Sequence, residues 1–123
     1  MKYLILIHSN PASRAAWNQL TDVQRATFGD AHMRLDRQLK NEGVLAGSEG
    51  LQPPDTARWV SVRDGNTITS DGPFAEVKEH LAGYYLVEVA TEEEAVAIAA
   101  RVPDALFGEV EVRPVYDFSQ WEP

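Results

Sequence analysis

Between Asp22 and Asn41 the apolar residues Phe28, Ala31, Leu35 and Leu39 recur at steps of three, four and four. That spacing aligns them on one side of an α-helix and gives the helix a stripe to bury. Thr21-Asp22 offers the N-cap, and Gly43 the left-handed residue that ends such a helix. A helix of this length runs about 30 Å. It is long enough to cross a whole sheet, so the rest of the chain has to supply a sheet for it to lie on.

The strands are legible on both sides of that helix. Tyr3 to Ile7 is a continuous apolar run stopped by Ser9-Asn10-Pro11, the mark of a strand covered on both faces. The stretch that follows, around Trp17, reads as irregular. Val44 to Leu51 reads as a strand weakened or bulged by Gly47 and Gly50 and ended by Pro53-Pro54. Ala57 to Arg63 and Thr67 to Ser70 flank Asp64-Gly65-Asn66, a hairpin signal. Gly83 to Val89 is the clearest strand. Thr91-Glu92-Glu93-Glu94 then predicts a capping box, with Glu94 reaching back, and Ala95, Ile98, Ala99 and Val102 give a second apolar stripe ended by Pro103. Glu109 to Tyr116 alternates charge with valine as a last strand, with Pro114 at an edge or end position.

Apart from the extra hairpin, this order is βαββαβ. It predicts an α+β, ferredoxin-like plan: an antiparallel sheet with two helices on one face. The other face then needs a cover, because Tyr84, Tyr85, Leu86 and Val87 put large apolar groups on both sides of one strand. Two copies joined sheet to sheet about a two-fold axis would provide it. The competing cover is the C-terminal segment from Tyr116 to Trp121.

Bulk properties narrow the classes. The 123 residues suit a single domain over 1–123. A domain of that size buries about two thirds of its unfolded surface, so a core can form without staples. With no cysteine there is no disulfide or thiolate chemistry. A formal net charge of −8 argues against direct nucleic-acid binding and against an anionic membrane surface. The N-terminal apolar run is too short for a signal peptide and nothing reaches membrane-spanning length, so a cytoplasmic protein is expected.

One stretch, Asp71-Gly72-Pro73-Phe74-Ala75-Glu76-Val77-Lys78-Glu79, fits neither an ordinary strand nor an ordinary helix. With Met1-Lys2-Tyr3-Leu4, the segment Glu42 to Leu51, Gly83-Tyr84-Tyr85-Leu86-Val87 and Glu111-Val112-Arg113-Pro114-Val115, it makes the whole chain resemble the YCII-related family, in its DGPF subgroup. The resemblance implies a ferredoxin-like fold pairing as a dimeric α+β barrel in a small cytoplasmic protein. It also implies a histidine and an aspartate linked to enzymatic function, and, through relatives fused to sigma-70-type factors, an association with transcription initiation. Relatives commonly carry Asp-Pro after the second helix. Here Val102-Pro103 takes that place, and Asp104, two residues on, is expected to point elsewhere. His32 is matched to the family histidine.

The residues themselves offer a catalytic set of His32, Asp36 and Asp71. His32 and Asp36 stand four apart on one side of the long helix, where a carboxylate can fix an imidazole tautomer and the pair can shuttle a proton. The bland alternative is a boundary histidine beside a solvated ion pair. Asp71 can set an Asx-turn or act on a ligand, and Phe74 can anchor the loop in the core. Glu76 and Lys78 can position an anionic ligand or form a surface pair. His8, at a strand end, can border a cleft. His8, His32 and His80 match no metal-ligand spacing, so no metal site is expected. Neither Ser48 nor Ser70 sits in a nucleophile elbow, and there is no cofactor fingerprint. Two functions remain: a small-molecule enzyme doing His/Asp proton transfer in the barrel cleft, or a non-catalytic homodimeric module acting with a sigma factor.

Overall fold

The computed structural model describes residues 1–72 and 78–122. Its elements are β1 (Lys2–Ser9), α1 (Pro11–Asn18), α2 (Asp22–Asn41), β2 (Leu45–Gly50), β3 (Arg58–Arg63), β4 (Asn66–Asp71), β5 (His80–Glu88), α3 (Glu92–Ala99) and β6 (Val110–Pro114). Short 3₁₀ turns cover Pro54–Thr56, Pro103–Leu106 and Phe118–Gln120. The main sheet has four strands in the order β2-β5-β1-β6, and β3 and β4 form a separate two-stranded sheet. Every pairing among these strands is antiparallel. The architecture is α+β and compatible with a ferredoxin-like fold.

Alternation along β1 and β5 decides where the core sits. Tyr3, Ile5 and Ile7 of β1 and Tyr85 and Val87 of β5 are buried, and they cluster with Leu35 and Leu39 of α2 and Ala95, Ile98 and Ala99 of α3. Both helices therefore lie on one face. Only the C-terminal half of the α2 stripe enters this core; Phe28 and Ala31, nearer the start of the helix, are half-buried. The opposite sheet face carries the cross-strand pairs Leu4–Leu86 and Leu6–Tyr84, all half-buried. The C-terminal segment does not hide its own rings there. Tyr116, Phe118 and Trp121 stay exposed, with Tyr116 edge-on to each of the other two.

Several local expectations hold. Thr21 caps α2 with a full capping box to Gln24, and Gly43 sits at φ +76° just past the helix end. The register slips between Leu45 and Gly47, as the glycines suggested. Asp64 and Gly65 both have positive φ, making the two-residue turn that joins β3 to β4. Gly83 is needed for close approach, since a Cβ there would lie 2.8 Å from the Glu49 carbonyl oxygen of β2. Thr91 caps α3, but the Glu94 carboxylate accepts from the Ala90 N–H rather than from Thr91.

One element differs from the expectation. The stretch after β1 is not irregular but helix α1. Asn10 and Ser13 form a reciprocal capping box with Pro11 at the first position, a signal that reads equally well as a strand stop. The helix buries no residue, so it lacks the apolar stripe that would have exposed it.

Candidate functional site

His32 projects from α2 toward the sheet, beyond the half of the helix that enters the core. Its Nδ1 lies 2.7 Å from the Tyr85 hydroxyl on β5. Its Nε2 lies 2.6 Å from Oδ1 of Asp104, in the 3₁₀ turn after α3. The imidazole stacks nearly parallel to the Tyr85 ring at 5.9 Å, and Phe28 meets it edge-on at 5.0 Å. Three separate elements therefore fix one ring.

The chemistry of the partners assigns the protons. An ionised carboxylate only accepts, so Nε2 carries a hydrogen and donates it to Asp104. With the ring neutral, Nδ1 accepts from the Tyr85 hydroxyl. With the ring protonated, Nδ1 donates to that hydroxyl, which can turn its own hydrogen to the His32 carbonyl oxygen 3.4 Å away. Both charge states of His32 are thus hydrogen-bonded. Tyr85 stays a neutral phenol throughout: burial first, then the charges of Asp36 and Asp104, push its pKa up to about 12.

With both nitrogens engaged, the imidazole has none left for a ligand. Asp104 does. Its side chain is 27 % exposed and lines a cavity of about 330 Å³ walled by Ile7, Trp17, Leu20, Phe28 and Phe107. This cavity shares Asp104, Trp17, Phe28 and Arg14 with a wider groove that runs past His32, Tyr85, Asp36 and Ser48.

The expected site residues are distributed as follows. Asp36 lines the groove but does not pair with His32. Lys40 binds it at 2.8 Å and the Ser48 hydroxyl donates to it, so that these bonds, Lys40 first, hold its carboxyl below the usual range. The i,i+4 neighbour along the helix is taken by Lys40 because the imidazole turns toward the sheet instead. Asp71 ends β4 on the hairpin, with its side chain 82 % exposed and 3.4 Å from Arg58 Nε; it lines neither the cavity nor the groove. His8 borders the cavity, its Nε2 2.9 Å from Glu111. This bond and, after it, Arg113 keep the Glu111 carboxyl below its ordinary value. Lys78 is exposed, and its backbone carbonyl accepts from Arg14. Phe74 and Glu76 lie outside the described residues. Among the described residues no group of three or more His, Cys, Asp or Glu side chains is placed to hold a metal. No helix there is long and apolar enough to cross a membrane.

Asp104 is the correction. It does not point elsewhere. The turn Pro103–Leu106 carries it back over the middle of α2, so the carboxylate reaches the histidine from two residues beyond the expected position. Tyr85 was also missed as a site residue. Its signal was present, since a phenol on the core side of a strand needs a hydrogen-bond partner.

The model of the YCII-related domain matches residues 1–119. A protein of Rhizobium meliloti (strain 1021), described as uncharacterized, is 32 % identical over 117 residues, covering 94 % of this chain and 92 % of the relative. A match across nearly the full length places this chain in the YCII-related family.

Proposed function

We propose that this YCII-related protein is a small-molecule enzyme that moves a proton at a substrate held in the cleft. Asp104 is the group that meets the substrate. His32 and Tyr85 are positioning residues that share its charge. The observation carrying this reading is the doubly bound His32 ring, with 2.6 and 2.7 Å contacts on its two nitrogens and a carboxylate facing the cavity. As Asp104 takes a proton from the substrate, the Nε2–H bond it has been receiving weakens, and Tyr85 keeps the ring from turning. The reverse transfer returns the proton to a neighbouring substrate atom. Positioned proton transfer of this kind contributes about 10²–10⁴-fold.

The test is solvent deuterium exchange into a panel of small unsaturated and keto acids, followed by proton NMR. Exchange is expected with the native protein and a loss of about 100-fold or more in Asp104→Asn. His32→Asn should leave the fold intact, lower the rate and shift its pH profile. No exchange with any acid in the panel, or an undiminished rate in Asp104→Asn, removes the assignment.

We propose further that a second copy covers the open sheet face. Support comes from the half-buried Leu4, Leu6, Tyr84 and Leu86 and from the exposed aromatic side chains of the C-terminal segment. Sedimentation should give twice the chain mass, and Leu6→Asp should halve it while preserving the circular dichroism. A single-chain mass at every concentration rules this pairing out.

A further inference from the structure

The cavity beside Asp104 has a composition that selects its occupant. Trp17, Phe28 and Phe107 wall it with three rings, Trp17 and Phe28 centred 5.4 Å apart and Phe28 and Phe107 5.6 Å apart. Its volume of about 330 Å³ compares with about 150 Å³ for an apolar cavity that accepts benzene. It therefore has room for one ring with substituents.

Arg14 of α1 stands in the lining of both the cavity and the groove. Its guanidinium is oriented by two neutral oxygens, the Ser9 hydroxyl at 3.2 Å and the Lys78 carbonyl at 3.2 Å. Among the described residues it is one of five arginines with no carboxylate partner, and of those five it is the one that stands in the cavity lining. In a chain with 19 acidic and 11 basic residues, a fixed arginine at an aromatic cavity has kept its charge available. Three of its five N–H groups remain to receive a planar anion. Two acids stand in the lining, Asp104 and Glu109, and Asp104 is engaged by the His32 N–H, which spreads its charge away from the cavity.

We propose that this cavity binds a small flat organic acid, an aromatic or unsaturated ring bearing a carboxylate, with the ring among Trp17, Phe28 and Phe107 and the carboxylate on Arg14. This deepens the proton-transfer reading and rests on it for the placing of the reacting atom beside Asp104. The binding geometry itself stands on the aromatic wall and the arginine.

The experiment titrates benzoate, benzyl alcohol and cyclohexanecarboxylate into the full chain, followed by Trp17 fluorescence with Trp59→Phe and Trp121→Phe in the background and by ligand-observed NMR. Benzoate should bind at least about tenfold more tightly than benzyl alcohol, because a charge-assisted pair is lost in the alcohol. It should also outcompete the non-planar acid. Arg14→Gln should erase the preference for benzoate over the alcohol, Arg14→Lys should keep part of it, and Trp17→Ala should weaken both ring ligands. Equal affinities for benzoate and benzyl alcohol, an unchanged preference in Arg14→Gln, or no binding of any probe overturns the proposal. The two readings fail separately. Benzoate held through Arg14 in a protein whose Asp104→Asn variant exchanges deuterium as fast as the native one leaves the acid site standing and removes the catalytic assignment.

Discussion

Strands β1 and β5 and strands β3 and β4 each form an antiparallel pair, yet they end in opposite situations. In β1 and β5 the alternating side chains of Tyr3, Ile5, Ile7, Tyr85 and Val87 disappear into a core shared with α2 and α3. In β3 and β4 every residue is exposed, Trp59, Val60, Val62 and Ile68 included. The hairpin is well specified locally: Asp64 and Gly65 both supply the positive φ that its turn demands. What it lacks is a helix laid across it. Local pattern fixes register in both regions, while burial follows from which strands the long helix reaches. A two-stranded ribbon alone is marginal in water, so its stability depends on its attachment to the rest of the chain.

Perturbation can test this contrast. The largest effect belongs to Leu39→Ala, at a fully buried position against β1 and β5. A loss of about 2–5 kcal/mol is expected in urea unfolding. A loss below about 1 kcal/mol would mean that the main sheet is no better packed than the hairpin.

The second test uses alkali, because Tyr85 sits in the core region. Its pKa is raised to about 12 from the ordinary value near 10.0. A group whose folded-state pKa is raised contributes stability that is fully present below the unfolded value and lost as pH climbs through the folded one. Stability should therefore fall between pH 10 and about 12, by at most about 1.4 kcal/mol per pH unit, and Tyr85→Phe should flatten that limb. The hairpin, whose ion pair among the described residues is the exposed Arg58–Asp71, should show no such dependence.

The smallest effect is expected from Val62→Ala, within about 0.5 kcal/mol. A cost comparable to Leu39→Ala would show that the hairpin is packed against something in solution and would break the comparison.

The same division explains what could be read from the sequence. The α2 stripe, the β5 run and the Asp-Gly turn each carry their signal within a few neighbouring residues, and each appears where expected. Helix α1 was hidden because it buries nothing, leaving only its cap to announce it. The site was harder still. Neighbour spacing along α2 pointed from His32 to Asp36, but the bonds that matter span 53 residues to Tyr85 and 72 to Asp104. No periodicity encodes them. They exist because β5 lies beneath α2 and because a turn after α3 folds back toward it.

That turn also bears on how members of this family should be sorted. A survey that asks for an aspartate at one fixed place after the last helix would count this chain among the extinct. A survey that asks whether any carboxylate comes within hydrogen-bonding range of the imidazole would keep it, because Asp104 arrives there from another place along the chain.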